Sequence, residues 1–370
     1  MSPLGFFKGK KKPIAHDPDA PHLFGPYSLH ELINRGGTAE IWTATDPDGQ
    51  TYALRRLLGN GTVDKAARKQ FLHGCEVLEK IHGHQFIIGF YRHGNLDGVD
   101  YTLLERVIGW NLKQLINRND PVLGEFVGNI LIDSAVALEH LHEKGFIHLD
   151  FKPENILVTQ SGDIRLVDFD LAQPLPKKPT RMPTNAGTPA YMAPEQIRHE
   201  PLDQRADIFS FGVMAYEVLT FRKPFIGETP EIVLRKQLDE KHPITPPRDL
   251  NDDIPIAVER IILKCMERDP ENRYPNAHVL VAQLQQALHV DRFALGAGEL
   301  RLCLCVGEAC RASRVHLGRD RYHRLFRHRQ SDRAGVARRD PMRLARLRRR
   351  CLRRERQTDP PPGRRPRRSE

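Results

Sequence analysis

The sequence is poor in cysteine and has no long apolar run. Only Cys75 and Cys265 fall within residues 1–290 of the 370-residue chain. Two scattered thiols in a body of that size argue against a disulfide framework and favour a reducing compartment. No stretch approaches the roughly 20 apolar residues of a membrane span, and the N-terminus lacks the apolar core of a signal peptide. We therefore expect no membrane span and a cytoplasmic location.

Lysine is missing from the end of the chain. Residues 291–370 hold 24 Arg, no Lys and 9 acidic residues, a net charge of +15. Residues 1–290 mix 17 Arg with 16 Lys and have a net charge of −5. The formal charge of +10 therefore belongs to the tail, and the body is a mildly acidic chain.

The Arg-rich tail, 289–370, is expected to be disordered or poorly structured, and its role has three open interpretations. Dense Arg binds phosphate electrostatically, which favours an extension that binds RNA, DNA or an acidic lipid. Its aromatic residues are too few to support base stacking: Phe293, Tyr322 and Phe326. We expect no nucleic-acid partner for the chain except through this tail.

The other two interpretations concern the cysteines and the codons of the tail. Cys303, Cys305 and Cys310 with His316 form a conceivable zinc site, but their spacing fits no common ligand pattern well. A shifted reading frame of GC-rich DNA would favour Arg, Ala, Gly, Pro and Cys codons. The missing Lys fits this third interpretation best.

Ahead of the tail, strand patterns are followed by helical ones. Residues 1–26 have a basic run and several prolines, which predict a flexible leader. Alternating patterns predict strands over 33–44, 51–57 and 101–107, the first two joined by an Asp-Pro-Asp-Gly turn. Helical spacing of apolar residues predicts helices over the following ranges: 64–82, 125–144, 205–219, 231–238, 255–267 and 277–288. The order favours an α+β body.

Four motifs that carry chemistry follow one another in the helical half. They are His148-Leu149-Asp150-Phe151-Lys152-Pro153-Glu154-Asn155, Asp168-Phe169-Asp170, Gly187-Thr188-Pro189-Ala190-Tyr191 and Ala193-Pro194-Glu195. Phosphoryl transfer needs a carboxylate to orient a hydroxyl and oxygen ligands to hold magnesium on the phosphates. The ordered series resembles the catalytic loop, metal-binding motif and activation segment of the eukaryotic-like (Hanks-type) Ser/Thr protein kinases.

The resemblance covers residues 27–288 and implies a bilobal fold. The small β-rich N-lobe, about 27–106, would carry one regulatory helix, and the larger helical C-lobe would span about 107–288. Within the motifs the resemblance assigns Asp150 to orient the substrate hydroxyl and accept its proton. It assigns Lys152 to the transferred phosphate, and Thr188 to hydrogen bonds with Asp150 and Lys152. Asn155 and Asp168 would bind Mg²⁺, which prefers oxygen ligands.

The nucleotide side departs more from the family pattern. In the loop over 33–41 only Gly36 keeps its place, since Asn34 and Ala39 stand where two other glycines are usual. The resemblance places the following residues around ATP: Ile33, Gly36, Ile41, Ala53, Arg55, Glu76, Leu104, Glu105, Val107 and Leu157.

Arg55 stands where the family has the Lys that binds the α- and β-phosphates. Arg is longer, planar and forked, so it is not an equivalent of a compact ammonium. Its expected partner is Glu76 on the regulatory helix, in a bidentate pair. Arg55 would then either serve the phosphates or be a structural member of that pair, and the sequence weighs both alike.

Further departures concern control of the site. Leu149 replaces the Arg that grips a phosphorylated activation loop, so activity should not depend on that clamp. Asp170 replaces a Gly, which restricts the backbone and adds a carboxylate of open role. Thr180 and Thr184 are possible phosphosites.

Three residues are expected to act structurally. Glu195 should pair with Arg273, and Asp207 should brace the catalytic loop.

The sequence thus predicts a Ser/Thr protein kinase that uses ATP and Mg²⁺ on a protein substrate. The alternative is a pseudokinase, a binding module that keeps the fold but transfers phosphate poorly. Asp150, Lys152, Asn155 and Asp168 favour the first, and Arg55, Ala39 and Asp170 favour the second.

Overall fold

The computed structural model describes residues 22–58, 65–183 and 187–294, with side chains described as far as Leu288. These residues all fall within one unit of the chain, and a second unit, 318–370, lies outside the described residues. The leader predicted over 1–26 extends too far, because His22–Phe24 forms a strand, β1, that pairs with the next strand. The predictions for the tail beyond Ala294 also lie outside the described residues.

Strands dominate the smaller lobe. After β1 come β2 (Tyr27–Arg35), β3 (Ala39–Thr45), β4 (Thr51–Leu57), α1 (Lys65–Ile81), β5 (Phe90–Leu96) and β6 (Val99–Leu104). The strands form one antiparallel sheet in the order β1-β2-β3-β4-β6-β5. Helix α1 packs against this sheet with an apolar face that includes Phe71, Cys75 and Leu78.

The turns of this sheet follow from local chemistry. The β3–β4 hairpin forms as predicted, because the Asp46 carboxylate accepts hydrogen bonds from the Asp48 and Gln50 amides at 3.0 and 2.9 Å, while Gly49 supplies a φ of 83°. The single strand predicted over 33–44 is wrong. The chain turns between Arg35 and Ala39 instead, where the Gly36 amide donates to the Ala39 carbonyl at 2.8 Å.

Helices dominate the larger lobe. Its elements are β7 (Gly109–Asn111), α2 (Leu112–Arg118), α3 (Pro121–Glu143), β8 (Phe146–Ile147), β9 (Ile156–Thr159), β10 (Ile164–Leu166), β11 (Gln173–Pro174), α4 (Pro194–Ile197), α5 (Arg205–Thr220), α6 (Pro230–Leu238), α7 (Pro247–Leu250), α8 (Ile256–Cys265) and α9 (Ala277–Ala294). Two small sheets, β10-β9-β7 and β11-β8, flank the segments that carry the motifs. The predicted α+β, bilobal architecture is confirmed.

Helix α3 begins as capping rules require. Asp120 accepts a hydrogen bond from the Val122 amide at 3.1 Å, and Pro121 takes the first helical position, where no amide donor is needed.

Within the described ranges, α3 alone is long and apolar enough to cross a membrane by length and composition. Of its most apolar window, 61% is buried inside the protein.

One hydrophobic core joins the lobes and carries the motifs. It runs from Ala53 and Leu104 of the sheet to the nearly wholly buried α5. Backbone hydrogen bonds tie Leu166 of β10 to Phe86 and Ile88 of the smaller lobe at 2.8 and 3.1 Å. The Asp168–Asp170 motif therefore begins where the two lobes meet.

Candidate active site

The loop between β8 and β9 is fastened to the core by Asp207 of α5. This fully buried carboxylate accepts hydrogen bonds from the His148 and Leu149 amides at 2.8 and 2.9 Å. It also accepts one from the His142 ring nitrogen Nε2 at 2.8 Å. Burial acts to raise the pKa of Asp207, but the hydrogen bonds and charges of His142 and His148 outweigh burial and hold the pKa below its ordinary value. The predicted brace is confirmed.

Leu149 adapts the loop to an apolar setting. Its backbone is left-handed, with a φ of 61°, and its side chain is buried in the main core. A left-handed backbone costs a residue other than Gly about 1 kcal/mol. The hydrogen bond from the Leu149 amide to Asp207 offsets that cost and holds the loop in this conformation.

Asp150 is the centre of a hydrogen-bond cluster. Its Oδ2 accepts from Lys152 Nζ at 2.5 Å, and its Oδ1 accepts from the Thr188 amide and hydroxyl at 2.9 and 2.7 Å. Lys152 Nζ also donates to the Thr188 hydroxyl at 2.8 Å, and Asn155 Nδ2 donates to the Asp150 carbonyl at 2.9 Å. The structure thus brings together all four residues predicted to carry catalysis.

The segment after Asp168 is fixed at its far end. Arg273 donates two hydrogen bonds to the Glu195 carboxylate, at 2.7 and 2.8 Å, and both side chains are buried. This confirms the predicted pair. Of the possible phosphosites, Thr180 is exposed and its backbone pairs with Leu202, whereas Thr184 lies outside the described residues.

The donor set predicted for a metal suits a hard cation. Asp168 supplies a carboxylate that is 44% exposed and Asn155 supplies an amide oxygen, both of which match the preference of Mg²⁺. Phe169 anchors the motif, because it is buried with its ring centroid 5.3 Å from that of His148. Among the described residues, no group of three or more His, Cys, Asp or Glu side chains could hold a metal ion. Metal binding by Asp168 and Asn155 stays a prediction.

The predicted Arg55–Glu76 pair is wrong. Arg55 donates from Nη1 and Nη2 to the two carboxylate oxygens of Asp170, at 2.9 and 2.5 Å. Glu76 is exposed on the outer face of α1, whereas Gly74 and Cys75 face inward. The spacing along the helix explains the error, since Glu76 is turned away from the sheet that carries Arg55.

Asp170 is therefore neither exposed nor without a contact. Its side chain is 16% exposed, as is that of Arg55, whose guanidinium also lies over the Phe71 ring at 4.8 Å. Burial acts to lower the pKa of Arg55, but the hydrogen bonds and charge of Asp170 outweigh burial and raise it, so Arg55 remains a cation. Burial raises the pKa of Asp170, and the bonds from Arg55 oppose that shift.

Most residues predicted to surround ATP lie together. Ala53 and Leu104 are buried in the main core, and the partly buried side chains of Ile41, Val107 and Leu157 pack against it. Ile33 is 40% exposed and lies outside this cluster, so its predicted contact with the nucleotide stays a prediction. Gly36 forms the turn of the loop, as described above.

Glu105 fastens the segment that links the lobes. Its side chain accepts from the Gly89 amide at 3.1 Å and from Arg165 Nε at 2.9 Å, and its own amide donates to the Gly89 carbonyl at 2.8 Å. The carboxylate is therefore engaged within the protein. Its predicted contact with the nucleotide stays a prediction.

The whole motif-bearing region matches a known family model. Residues 27–285 match the model described as the protein kinase domain. The chain belongs to the protein kinase family. The boundaries of the matched kinase domain agree closely with the predicted resemblance over 27–288.

Similar proteins are bacterial serine/threonine-protein kinases. A probable serine/threonine-protein kinase of Clostridium acetobutylicum is 35% identical over 265 residues, which cover 71% of this chain and 40% of that protein. One of Clostridium perfringens is 37% identical over 271 residues, covering 70% and 38%. The serine/threonine-protein kinase PrkC of Bacillus subtilis is 31% identical over 273 residues, covering 73% and 42%. The chain thus spans about two fifths of the length of the curated relatives it matches.

A second charged network in the kinase domain was not predicted. Glu217 of α5 accepts hydrogen bonds from Lys113 of α2 and from the Tyr191 hydroxyl, the latter at 2.5 Å. Burial first, and then the charge of Glu217, raises the pKa of Tyr191. No short motif joins these three residues, so only the fold could reveal the network.

Proposed function

We propose that this chain is a Ser/Thr protein kinase, which transfers the γ-phosphate of ATP to a protein hydroxyl. The observation that carries the proposal is the cluster around Asp150, where Lys152 and Thr188 hold the carboxylate in one orientation. Positioning and charge stabilisation account for most of the catalysis of this reaction. Such a cluster supplies both.

Each residue has a distinct part in the transfer. Asp150 orients the Ser or Thr hydroxyl and accepts its proton as the oxygen attacks phosphorus and the bond from phosphorus to ADP breaks. Lys152 neutralises charge on the phosphoryl group in transit, and Thr188 keeps Asp150 and Lys152 together. Mg²⁺ is the metal we propose for Asp168 and Asn155, where it would neutralise the phosphates and fix their geometry.

The nucleotide would lie beside the apolar cluster of Ala53 and Leu104. Its phosphates would then extend towards Arg55. Support comes from the arrangement of these side chains around the junction of the lobes.

The test uses the full chain with γ-labelled ATP, MgCl₂ and casein, followed by identification of the phosphorylated residue type. We expect label on Ser or Thr, and we expect Asp150→Ala to lower kcat by about 10³-fold, the scale of a lost general base. Glu143→Gln, an exposed acid at the end of α3, serves as control and should transfer at the parent rate. Absence of transfer to casein and to the chain itself, with ATP bound, would favour the pseudokinase alternative instead.

A further inference from the structure

The ion pair of Arg55 and Asp170 joins the residue proposed to face the phosphates to the last residue of the metal-binding motif. Its two hydrogen bonds run side by side, from Nη1 to Oδ1 at 2.9 Å and from Nη2 to Oδ2 at 2.5 Å. Bidentate pairing fixes the plane of a guanidinium as well as its position. Asp170 therefore determines where the cation points.

A second carboxylate competes for the same cation. Arg55 Nη2 lies 4.0 Å from Asp168 Oδ1, a little beyond hydrogen-bond distance. Asp168 is the more exposed acid, at 44% against 16% for Asp170. If Asp170 released the guanidinium, a small movement would bring Arg55 onto the residue proposed to bind the metal.

Helix α1 supplies space for Asp170 and no acid for Arg55. A Cβ on Gly74 would lie 3.2 Å from both Cα and Cγ of Asp170 and would overlap its Oδ1. The neighbouring His73 binds the Ala172 carbonyl through Nε2 at 2.6 Å, which fixes the same segment against the helix. The absence of a side chain at position 74 is thus what admits the Asp170 carboxylate.

We propose that Asp170 is a positioning residue that holds Arg55 towards the nucleotide phosphates and away from Asp168, with Gly74 as the clearance that makes this possible. The inference rests on the proposed function, because it assumes that MgATP binds at this site. It moves the carboxylate partner of the phosphate-binding cation from the helix to the metal-binding motif. The carboxylate that holds the cation and the proposed metal ligand then belong to one short segment, so a movement of that segment affects both.

A purely structural ion pair would behave differently. It would lower stability when broken but leave the metal requirement of nucleotide binding unchanged. The positioning role predicts competition between Arg55 and the metal for Asp168. The metal requirement is therefore the decisive measurement.

The first experiment titrates a fluorescent ATP analogue into the full chain over a range of free Mg²⁺ concentrations. We expect Asp170→Asn to raise the half-saturating Mg²⁺ concentration about 10-fold, the scale seen when outer partners of a metal ligand are removed. Glu76→Gln is the matched control on α1 and should leave it unchanged. An unchanged Mg²⁺ requirement in Asp170→Asn would overturn the proposal.

A rescue variant tests the direction of the effect. In the Asp170→Asn background, Arg55→Gln removes the released cation, so the Mg²⁺ requirement should return towards that of the parent even though the nucleotide binds more weakly. If the requirement stays high without Arg55, competition for Asp168 is not the cause and the proposal fails.

A steric variant covers the case in which Asp170→Asn does not fold. Gly74→Ala favours the helix by about 1 kcal/mol in isolation, yet its methyl group displaces the Asp170 carboxylate. It should raise the Mg²⁺ requirement in the parent and lose most of that effect in the Asp170→Gly background. An equal effect in both backgrounds contradicts the clearance role of Gly74.

Failure of the proposed function would look different. If the parent binds the analogue and shows these shifts but labels no protein, the positioning role stands and kinase activity does not. If the parent transfers phosphate and Asp170→Asn keeps the parent Mg²⁺ requirement, the reverse holds. If the parent binds no nucleotide, both proposals fall.

Discussion

The catalytic loop and the Arg55 site hold charged side chains by contacts of very different range. Asp150 finds Lys152 two residues away and Asn155 five residues away, whereas Arg55 meets Asp170 across 115 positions. The fully buried Asp207 fastens the catalytic loop to the core. The Arg55–Asp170 pair lies where the two lobes meet, and each of its side chains is 16% exposed. The short-range contacts of the catalytic loop follow from the spacing of its motif, whereas the partner of Arg55 is set by the fold and differs from the one expected.

The largest effect should follow from removing the buried anchor on the loop side. Asp207→Asn leaves the His148 and Leu149 amides facing an amide that can accept only at one end. We expect a loss of about 3 kcal/mol in the free energy of unfolding, as for a broken buried charge pair, together with loss of phosphate transfer. Urea unfolding of the full chain measures the first and labelled ATP the second.

Glu200→Gln is the control for that experiment, since its carboxylate is 47% exposed in the same lobe. It should unfold as the parent does. If Asp170→Asn lowered the free energy of unfolding as much as Asp207→Asn, the catalytic loop and the Arg55 site would not differ in the way described.

A smaller effect should come from the hydroxyl of Thr188. Thr188→Val keeps the volume but removes the hydrogen bonds to Asp150 Oδ1 and from Lys152, while the backbone amide bond to Asp150 remains. We expect kcat to fall at least about 10-fold, since each of the two lost hydrogen bonds involves a charged group, with little change in KM for ATP. Thr188→Ser should recover most of the rate, and a change confined to KM would contradict the assigned role.

The smallest effect concerns the link between the two lobes. The ring of His84, after α1, stacks on His140 of α3 with centroids 4.2 Å apart. Burial, and then the charge of His140, lowers the pKa of His84 to about 4, from about 6.5 in an unfolded chain. The unfolded state therefore binds more protons between these values, so stability falls as pH drops from 6.5 towards 4.

Because His84 is partly exposed, we discount the full shift to about 1 kcal/mol. Urea midpoints at pH 7 and pH 5 measure the effect. His84→Gln should lose less stability over that interval than the parent. Equal losses would mean that His84 does not report on the contact between the lobes.

The predictable part of the molecule is the part that follows from local sequence patterns or from positions that the family resemblance defines. Motif spacing identified Asp150, Lys152, Asn155 and Thr188, and helical periodicity located α1 within one residue at each end. Arg273 and Glu195 were paired correctly because both stand at positions that the family resemblance defines.

The Arg55 partner could not be predicted from one pattern at a time. Glu76 is an acid on the expected helix. It lies two residues after the inward-facing Gly74, however, and two residues along a helix turn a side chain by about 200°. A signal was nevertheless present, since Arg55 and Asp170 are departures of opposite charge from the same family pattern. The space that Gly74 leaves for the Asp170 carboxylate could not be predicted in this way, because it depends on the distance between α1 and the segment of Asp170, which only the fold supplies.

The Gly74 clearance also constrains the order in which such a site can arise. A carboxylate at position 170 has no room while a side chain stands at position 74, so the loss of that side chain must come first or come together with the acid. Among descendants of a common ancestor, we therefore expect positions 55, 74 and 170 to change as a set. Chains that combine Asp at 170 with a residue larger than Gly at 74 should be rare, so the residues at these two positions would show in which order the substitutions arose.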